Sequence, residues 1–495
     1  MSLSIVALCL VIVVGIYFYN NPLQHGPWFL SRRFINWFPL GMTYSFLYMG
    51  RYNLTIAKSA FGSLMTTEDF GLIFAAGTWV YALSFLVNGP LVDRIGGKKG
   101  IVIAALGASL ANLILGVITW LVLTGRTQIP LFWPFVVTYG LNMYFQSYGA
   151  VSIIKVKANW FHVRERGIFG AIFGTLISFG VYFAFDWGQA IVDMTKVAAP
   201  DGPLGWVPTL LRHLFVPTGS AQDATWAVFF VPAIILLVWV TLDLWLIKET
   251  PEDAGFPRLE THDASTGHMH EVYTRLDLLK KVFCNPLMLM LGGVELTAGV
   301  LRNGMMQWYT VFAREVPQPG AEGILANWGL LLCMFGIVGG FGGGLISDKF
   351  FQSRRGPPAA IFCGFMLMMV AVMSMNLFKY PLVVGGAALL IVAAVTGVHS
   401  LMSGTAAADF GGRKATATCS GLIDACVYLG SGVQSVCVGF LVGSKWSGHS
   451  WQWWPIFLMP FALAGGIIAW RIWFELPAAT RKYIDEHERK PAPTA

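Results

Sequence analysis

The stretch TYSFLYMGRYNLT, Thr43–Thr55, lies within an apolar run long enough to cross a bilayer and carries a single arginine, Arg51. Tyr44 and Tyr48 precede Arg51 by seven and three residues, which on a helix brings the three side chains towards one face. A cation at membrane depth costs several kcal/mol, so it normally faces a cavity and marks a ligand or ion path. Arg302 lies in an equally apolar run in the other half of the chain. Two such arginines, with no acid beside either in sequence, predict a site for an anion.

The composition indicates the class of protein. The chain has 495 residues, of which 56% are hydrophobic and 12% charged, and its mean hydropathy is +0.62. Long continuous apolar runs predict an all-α polytopic membrane protein, because helices satisfy their own backbone hydrogen bonds in lipid. The net charge of +7 comes from basic residues in short loops, as membrane topology requires, so no nucleic-acid partner is expected. The seven cysteines show no metal-ligand spacing, and neither a metal nor a cofactor is expected.

The apolar runs divide the chain into two predicted bundles of six helices. An extra N-terminal anchor helix is expected within 1–30, with its N-terminus outside. The bundles are predicted at 31–247 and 283–476, joined by a cytoplasmic linker at 248–282 and followed by a cytoplasmic tail at 477–495. The twelve predicted spans are 34–56, 70–92, 101–124, 130–154, 167–193, 224–247, 283–312, 325–347, 358–378, 382–408, 415–443 and 455–474.

The loops alternate in charge along the chain. Lys and Arg concentrate in loops such as GGKKG at 96–100, KVKANWFHVRERG at 155–167 and GGRK at 411–414, whereas the intervening loops hold few. Cytoplasmic loops carry this excess of basic residues. The pattern therefore predicts that the basic loops and the C-terminus lie in the cytoplasm.

Each half also repeats one pattern, an arginine in its first helix and a G-x-x-x-D-[RK] turn after its second. Arg51 is followed 42 residues later by Asp93, and Arg302 is followed 46 residues later by Asp348. Parallel six-helix repeats are typical of one large transporter class, in which the substrate binds near midplane between the halves. The charged residues of the two turns are predicted to gate the cytoplasmic side by holding helix ends together: Asp93, Arg94, Asp348 and Lys349.

The run GPLVDRIGGKK, Gly89–Lys99, matches the loop motif of the major facilitator superfamily at every defined position. Within that superfamily the chain resembles the organophosphate:phosphate antiporters, over residues 30–480. This narrower resemblance rests on YSFLYMGRYN, NWFHVRERG, KETPEDAGF, VLRNGMMQW and DFGGRKATATCSGLIDACVYLGSG. It implies the superfamily's twelve-helix fold, here with one added N-terminal helix, in a bacterial inner membrane. It also implies exchange of a phosphorylated metabolite for inorganic phosphate by rocking of the two halves.

The resemblance implies that Arg51 and Arg302 bind the phosphate, and guanidinium suits this role because its planar fork binds phosphate oxygens bidentately. Other residues that match the family's polar positions are Tyr44, Tyr48, Gln146 and Asn53. The chain departs from the family on the fifth helix, where FGTLISFG holds no histidine, and at Phe85 and Tyr52, where the family has lysine. A phosphate site is therefore better supported than any particular organic moiety.

Further candidates follow from polar residues inside apolar runs. Asn303 and Gln307 are predicted to be pocket residues or to form interhelical hydrogen bonds. Glu295 and Asp424 are intramembrane acids, predicted to couple transport to protons or to tune the arginines. Glu295 also lies two helical turns before Arg302 and could neutralise it. The aromatic residues Trp79, Tyr81 and Trp308 are expected to be packing or interfacial residues. His399 is expected to be a core histidine with its hydrogen bonds satisfied, with a proton relay as the alternative.

The leading hypothesis is a monomeric antiporter that exchanges a glycerol phosphate, sugar phosphate or phosphoglycerate for inorganic phosphate. One alternative is a membrane sensor that binds sugar phosphate and signals through a partner kinase. Another is a proton-coupled symporter of an organic anion, with Glu295 as the proton site. No covalent chemistry is expected, and the sequence contains no P-loop, which disfavours ATP-driven transport.

Overall fold

The computed structural model describes residues 2–162, 165–198, 205–216, 219–259, 284–351, 354–443 and 450–475, with side chains at all of these except 158, 166–171, 348 and 404–420. This part of the chain is almost entirely helical and contains no strand. The helices before the linker are α1 Ser2–Tyr19, α2 Pro27–Phe61, α3 Thr67–Ile95, α4 Gly97–Leu123, α5 Phe132–Trp160, α6 Arg166–Tyr182, α7 Gly188–Met194, α8 Trp206–Phe215 and α9 Ala227–Leu246. Those after it are α10 Pro286–Met306, α11 Trp308–Glu315, α12 Glu322–Ala326, α13 Trp328–Phe350, α14 Gly356–Asn376, α15 Pro381–His399, α16 Ala407–Val442 and α17 Trp453–Arg471.

The described helices reproduce the predicted order of twelve core spans after α1. A π-helical segment, Phe183–Trp187, joins α6 to α7 as the fifth span, and α10 with α11 forms the seventh. Within the described residues, nine helices are long and apolar enough to cross a membrane. The three core spans that are less apolar are α2, α5 and α10, which carry Arg51, Gln146 and Arg302. The polar residues that lower the hydropathy of these three spans therefore include the residues of the candidate site.

The basic loops predicted to face the cytoplasm meet at one end of the bundle. Glu249, from the KETPEDAGF stretch, accepts hydrogen bonds from the backbone N–H of Gly97 (2.9 Å) and Lys98 (2.8 Å) at the start of α4. A carboxylate is favoured there because a helix N-terminus carries unpaired N–H groups and partial positive charge. Gly96 has φ +91° and lies against Glu249, so a side chain at that position would be strained and crowded. We call this end of the molecule the basic end.

The halves, α2–α9 and α10–α17, contact each other along α3 with α16 and along α6 with α13. They also meet at the end opposite the basic loops. Asp186 accepts hydrogen bonds from the backbone N–H of Gly329 (2.6 Å) and Leu330 (3.0 Å) at the start of α13. Lys58 of α2 lies 3.5 Å from the carboxylate of Glu315 in α11. These contacts close the molecule at the opposite end.

Within the C-terminal half, α10 and α16 approach each other at the level of the backbone. A Cβ added to Gly299 would lie 2.0 Å from the carbonyl oxygen of Val427, and one added to Gly430 would lie 2.1 Å from that of Leu296. Small residues allow membrane helices to pack this closely. The packing brings the polar residues of α10 beside those of α16.

The added helix α1 is joined to the N-terminal half by hydrogen bonds of Tyr17, one of them to a buried ion pair. Arg33 donates to both carboxylate oxygens of Glu165 at 2.9 Å and through Nε to the hydroxyl of Tyr17 at 3.0 Å. Tyr17 in turn donates to the carbonyl of Leu30 at 2.9 Å. Because Glu165 lies in the loop between α5 and α6, the pair links α1, α2 and that loop.

Three local predictions differ from the structure. The loop expected at 411–414 is helical, since a π-helical segment, Ser400–Ala406, leads directly into α16; two adjacent glycines lower helix propensity but do not end a helix by themselves. The expected loop between the fifth and sixth spans contains α8, an exposed amphipathic helix. The seventh span is interrupted at Gln307, whose backbone φ and ψ are −98° and −48°.

Candidate functional site

Arg51 is buried among hydroxyl and amide oxygens rather than acids. Its side chain is 1% exposed, and its guanidinium donates to Gln146 Oε1 at 3.1 Å, to the Tyr428 hydroxyl at 3.0 Å and to the Tyr81 hydroxyl at 3.1 Å. The ring of Tyr48 lies 4.5 Å from the guanidinium carbon. Among the described side chains, none of the ion pairs within 4.0 Å involves Arg51. Its charge is therefore solvated by dipoles and aromatic faces and is not neutralised.

An amide chain holds α2 in position next to Arg51. Asn53 donates to Asn112 Oδ1 at 2.6 Å, Asn112 donates to Asn142 Oδ1 at 3.1 Å, and Asn142 donates to the carbonyl of Gly50 at 2.8 Å. These bonds tie α2, α4 and α5 together inside the N-terminal half. The guanidinium is thereby presented by a rigid support, which reduces the entropy lost when a ligand binds.

Arg302 presents an open guanidinium from the C-terminal half. It is partly exposed, and within the described residues no hydrogen bond or ion pair to its side chain is formed. Its neighbour Asn303 donates to Gln434 Oε1 at 3.1 Å and to Ser435 Oγ at 3.0 Å, which fixes this turn of α10 against α16. A deeply placed cation without a partner is the strongest sign of a ligand site in the described structure.

The two arginines line one cavity between the halves. Its volume is about 10 Å³, room for about one water molecule, so the space between the arginines is nearly closed in this conformation. The two guanidinium charges interact across it. Both halves contribute to its lining: Arg51, Tyr52, Phe74, Thr78 and Met143 from α2, α3 and α5, and Arg302, Asn303, Val427, Tyr428 and Ser431 from α10 and α16.

The other predicted binding residues lie at different distances from this cavity. Gln146 and Tyr48 contact Arg51 directly. Tyr44 packs edge-on against Tyr48, with ring centroids 5.6 Å apart, and so forms part of the surroundings of Tyr48. Gln307 is fully buried at the break in the seventh span and is absent from the cavity lining; neither of its amide atoms has a hydrogen-bond partner in the described structure.

The two predicted membrane acids have partners other than the arginines. Glu295 Oε2 lies 3.1 Å from His399 Nδ1, so the described structure does not show Glu295 neutralising Arg302. Asp424 accepts a short hydrogen bond from Ser403 in the π-helical segment. His399 was expected to be a core histidine with its hydrogen bonds satisfied, and its described partner is a carboxylate on another helix.

The predicted gate residues lie at the basic end. Asp93 is largely exposed and accepts a hydrogen bond from Lys155 at 3.1 Å, which joins α3 to α5 within one half. Arg94 and Lys349 are exposed. Asp348 lies on α13, and its side chain is outside the described residues. A gating role for these four residues stays a prediction.

Two tyrosines were missed or underrated by sequence reasoning. Tyr81 was interpreted as packing, but its hydroxyl accepts from Arg51, and Tyr428 was not singled out although it crosses from the other half to the same guanidinium. Tyr81 and Phe85 contact Tyr428 with ring centroids 4.4 Å and 6.3 Å away. The available signal was a tyrosine in a strongly apolar run, where a buried hydroxyl needs a partner.

Comparisons with known proteins agree with this architecture. The family model described as Major Facilitator Superfamily matches residues 40–435. A "Glycerol-3-phosphate transporter" of Bacillus subtilis (strain 168) is 26% identical over 390 residues, covering 77% of this chain and 79% of that protein. The "Membrane sensor protein UhpC" of Salmonella typhimurium is 24% identical, covering 86% and 87%. A "Probable hexose phosphate transport protein" of Chlamydia trachomatis is 23% identical, covering 89% and 91%.

The solved structures support the same fold. A bacterial homolog of the human lysosomal transporter Spinster, in an inward-facing and occupied conformation, aligns with a TM-score of 0.61 and 12% identity, covering 92% of this chain and 98% of the other. At that identity the likeness concerns the fold alone.

Proposed function

The chain belongs to the Major Facilitator Superfamily, and on that premise we propose that it exchanges an organic phosphate ester for inorganic phosphate by alternating access. The observation that carries the proposal is the open guanidinium of Arg302, which lines the same cavity as Arg51 on the other half. Two permanent cations with separate supports match a dianionic phosphoryl group, and guanidinium binds it bidentately. The relatives named for glycerol 3-phosphate and hexose phosphate support this substrate class.

The same geometry suggests how release would occur. Each half supplies one arginine, so rocking of the halves separates the two cations and weakens the hold on a dianion bound to both. The contacts between Asp186 and Gly329 and between Lys58 and Glu315 close the end away from the basic loops. We assign the basic end to the cytoplasm, so these contacts close the end that faces away from the cytoplasm.

Counterflow in proteoliposomes tests the proposal. Vesicles loaded with inorganic phosphate are given labelled phosphate outside, followed by a panel of phosphate esters as competitors. Wild type should exchange phosphate without a pH gradient, and Arg51→Lys or Arg302→Lys should reduce exchange by about 10- to 100-fold, because lysine keeps the charge but loses the fork. Arg126→Lys, at an exposed arginine over Trp120, is the matched control and should exchange normally. Normal exchange by either cavity variant would contradict the proposal.

A second candidate is a membrane sensor of sugar phosphate, and the observation that favours it is the similarity to UhpC proteins. A sensor needs the same phosphate site but no turnover. Phosphate binding by wild type without counterflow, abolished by Arg302→Lys, would favour the sensor over the carrier.

A further inference from the structure

A second set of ionisable side chains lies beside the arginine cavity, between α10, α15 and α16. Glu295 is fully buried, and its Oε2 lies 3.1 Å from Nδ1 of His399, the last residue of α15. The other oxygen, Oε1, has no described partner. Asp424 of α16 accepts from Ser403, within the π-helical segment that follows His399. π-Helical segments inside longer helices frequently occur at functional sites.

The neighbours of His399 define its charge environment. Two carboxylates, those of Glu295 and Asp424, act on the imidazole, and the charge of Arg302 acts on both His399 and Asp424. The α13 helix contributes a backbone carbonyl, that of Gly340, which accepts from Ser400 at 3.2 Å. The described titratable and charged groups around this set are Glu295 of α10, Cys363 of α14, Asp424 and Cys426 of α16, and Arg302.

The pairing determines where a proton can bind. When the Glu295 carboxylate is ionised it can only accept, so Nδ1 of His399 then carries the hydrogen of the bond between them, and Nε2 is left to take up a second proton. His399 lies deep among protein atoms, yet 32% of its side-chain surface is accessible, whereas Glu295 has none. Of this hydrogen-bonded pair, the imidazole is therefore the member that a proton can reach.

The proton state of His399 changes the total charge around the cavity by one. With Glu295 and Asp424 ionised and His399 neutral, the two carboxylates balance Arg51 and Arg302. A proton on Nε2 leaves one excess positive charge next to the arginines. Excess positive charge in a low-dielectric site favours an anion strongly.

We propose that Glu295, His399 and Asp424 form a proton-binding site that is linked to anion binding in the arginine cavity. The proposal rests on the proposed function, since it concerns the anion that the arginines bind. Binding of a phosphate dianion draws a proton from water to Nε2 of His399, and release of the anion returns that proton. By linkage, protonation of His399 raises the affinity for phosphate by the same factor by which bound phosphate raises the proton affinity of His399.

Isothermal titration of purified protein in lipid nanodiscs with inorganic phosphate tests this inference. Titrations at one pH in two buffers of different ionisation enthalpy give the number of protons taken up per phosphate. The titration of phosphate itself contributes equally to every variant, so the informative quantity is the difference between proteins. Near pH 7, wild type should take up more protons than His399→Gln, by up to about one per phosphate bound.

Two further variants complete the design. Glu295→Gln removes the carboxylate that favours the imidazolium form, so its excess proton uptake should move to lower pH. His213→Gln, at an exposed histidine of α8, should match wild type. Equal proton numbers for wild type and His399→Gln, with phosphate binding intact, would overturn the proton site alone. Failure of wild type to bind phosphate would overturn the proposed function together with it.

Discussion

The carboxylate of Asp186, in the fifth span of the N-terminal half, accepts a 2.6 Å hydrogen bond from the backbone N–H of Gly329, at the start of α13 in the C-terminal half. A carboxylate of one half thus caps a helix of the other. Since a helix N-terminus favours negative charge, the contact stabilises closure of the end opposite the basic loops. A Cβ on Gly329 would lie 2.6 Å from the same oxygen, so a glycine is needed for this approach.

Asp186→Asn should shift the protein towards the conformation open at that end. The variant keeps the shape of the side chain but loses its charge, which is worth about 1–2 kcal/mol at a helix terminus, or about 5- to 30-fold in population. Double electron–electron resonance between spin labels at Ser63→Cys and Gly323→Cys, in a cysteine-free background, would measure the separation of the halves. Asp223→Asn, at an aspartate that accepts from Val197 within one half, is the control. An unchanged distance distribution in Asp186→Asn would refute the role of this contact.

Tyr428→Phe should weaken phosphate binding by about tenfold, the value of one hydrogen bond to a charged group. The Tyr428 oxygen accepts from Arg51 at 3.0 Å, which leaves its own hydrogen free to donate to an anion in the cavity that it lines. Phosphate affinity by titration calorimetry checks this. Tyr380→Phe, at an exposed tyrosine, should bind as wild type. Equal affinities for the two variants would remove Tyr428 from the site.

Protonation of Glu165 should lower the free energy of unfolding in acid. Burial acts to raise the pKa of Glu165, but its hydrogen bonds and charge interaction with Arg33, with a smaller effect of His25, hold the pKa below the ordinary carboxyl value. A depressed folded-state pKa stabilises the protein above the unfolded-state pKa, and that stability is lost as pH falls through the folded-state value. The loss is therefore expected below the ordinary carboxyl range.

Glu165→Gln should accordingly lower the thermal unfolding midpoint at neutral pH and flatten its acid branch. Breaking a buried ion pair leaves Arg33 uncompensated and costs about 3–5 kcal/mol. Thermal unfolding in detergent from pH 3 to 7 measures both effects. Glu252→Gln, at an exposed glutamate near the same end, should preserve the wild-type curve. A wild-type midpoint that does not depend on pH in that range would count against the ion pair as a source of stability.

Gly299→Ala should destabilise the C-terminal half. The new methyl group would meet the carbonyl oxygen of Val427 at 2.0 Å, so α10 and α16 must separate, at a cost of about 1–3 kcal/mol. The unfolding midpoint should fall and phosphate affinity with it, because the same packing positions Arg302 beside Tyr428. Gly364→Ala, within α14 where a Cβ meets nothing within 4 Å, should be neutral or slightly stabilising. Tolerance of both substitutions would show that α10 and α16 can be spaced further apart than described.

The sequence predicts the charged residues of the candidate site better than the uncharged polar residues that surround them. An arginine in an apolar run is costly wherever it lies, so Arg51 and Arg302 stand out from one sequence. Tyr81 and Tyr428 do not, because tyrosine is also an ordinary packing residue, and only the fold shows that both hydroxyls face Arg51. For Glu295, helical spacing offered Arg302 as one possible partner, whereas the structure shows His399, which is distant in sequence.

The sequence by itself determined the helical membrane class, the order of the spans and the two arginines, because apolar run length and the cost of buried charge act locally along the chain. Only the tertiary structure decided which groups share the space around those arginines. Pairs such as Arg51 with Tyr428 and Glu295 with His399 are more than a hundred residues apart in sequence. Their meeting depends on how close neighbouring helices can approach, and that is set by glycines such as Gly299 and Gly430 once the helices are packed.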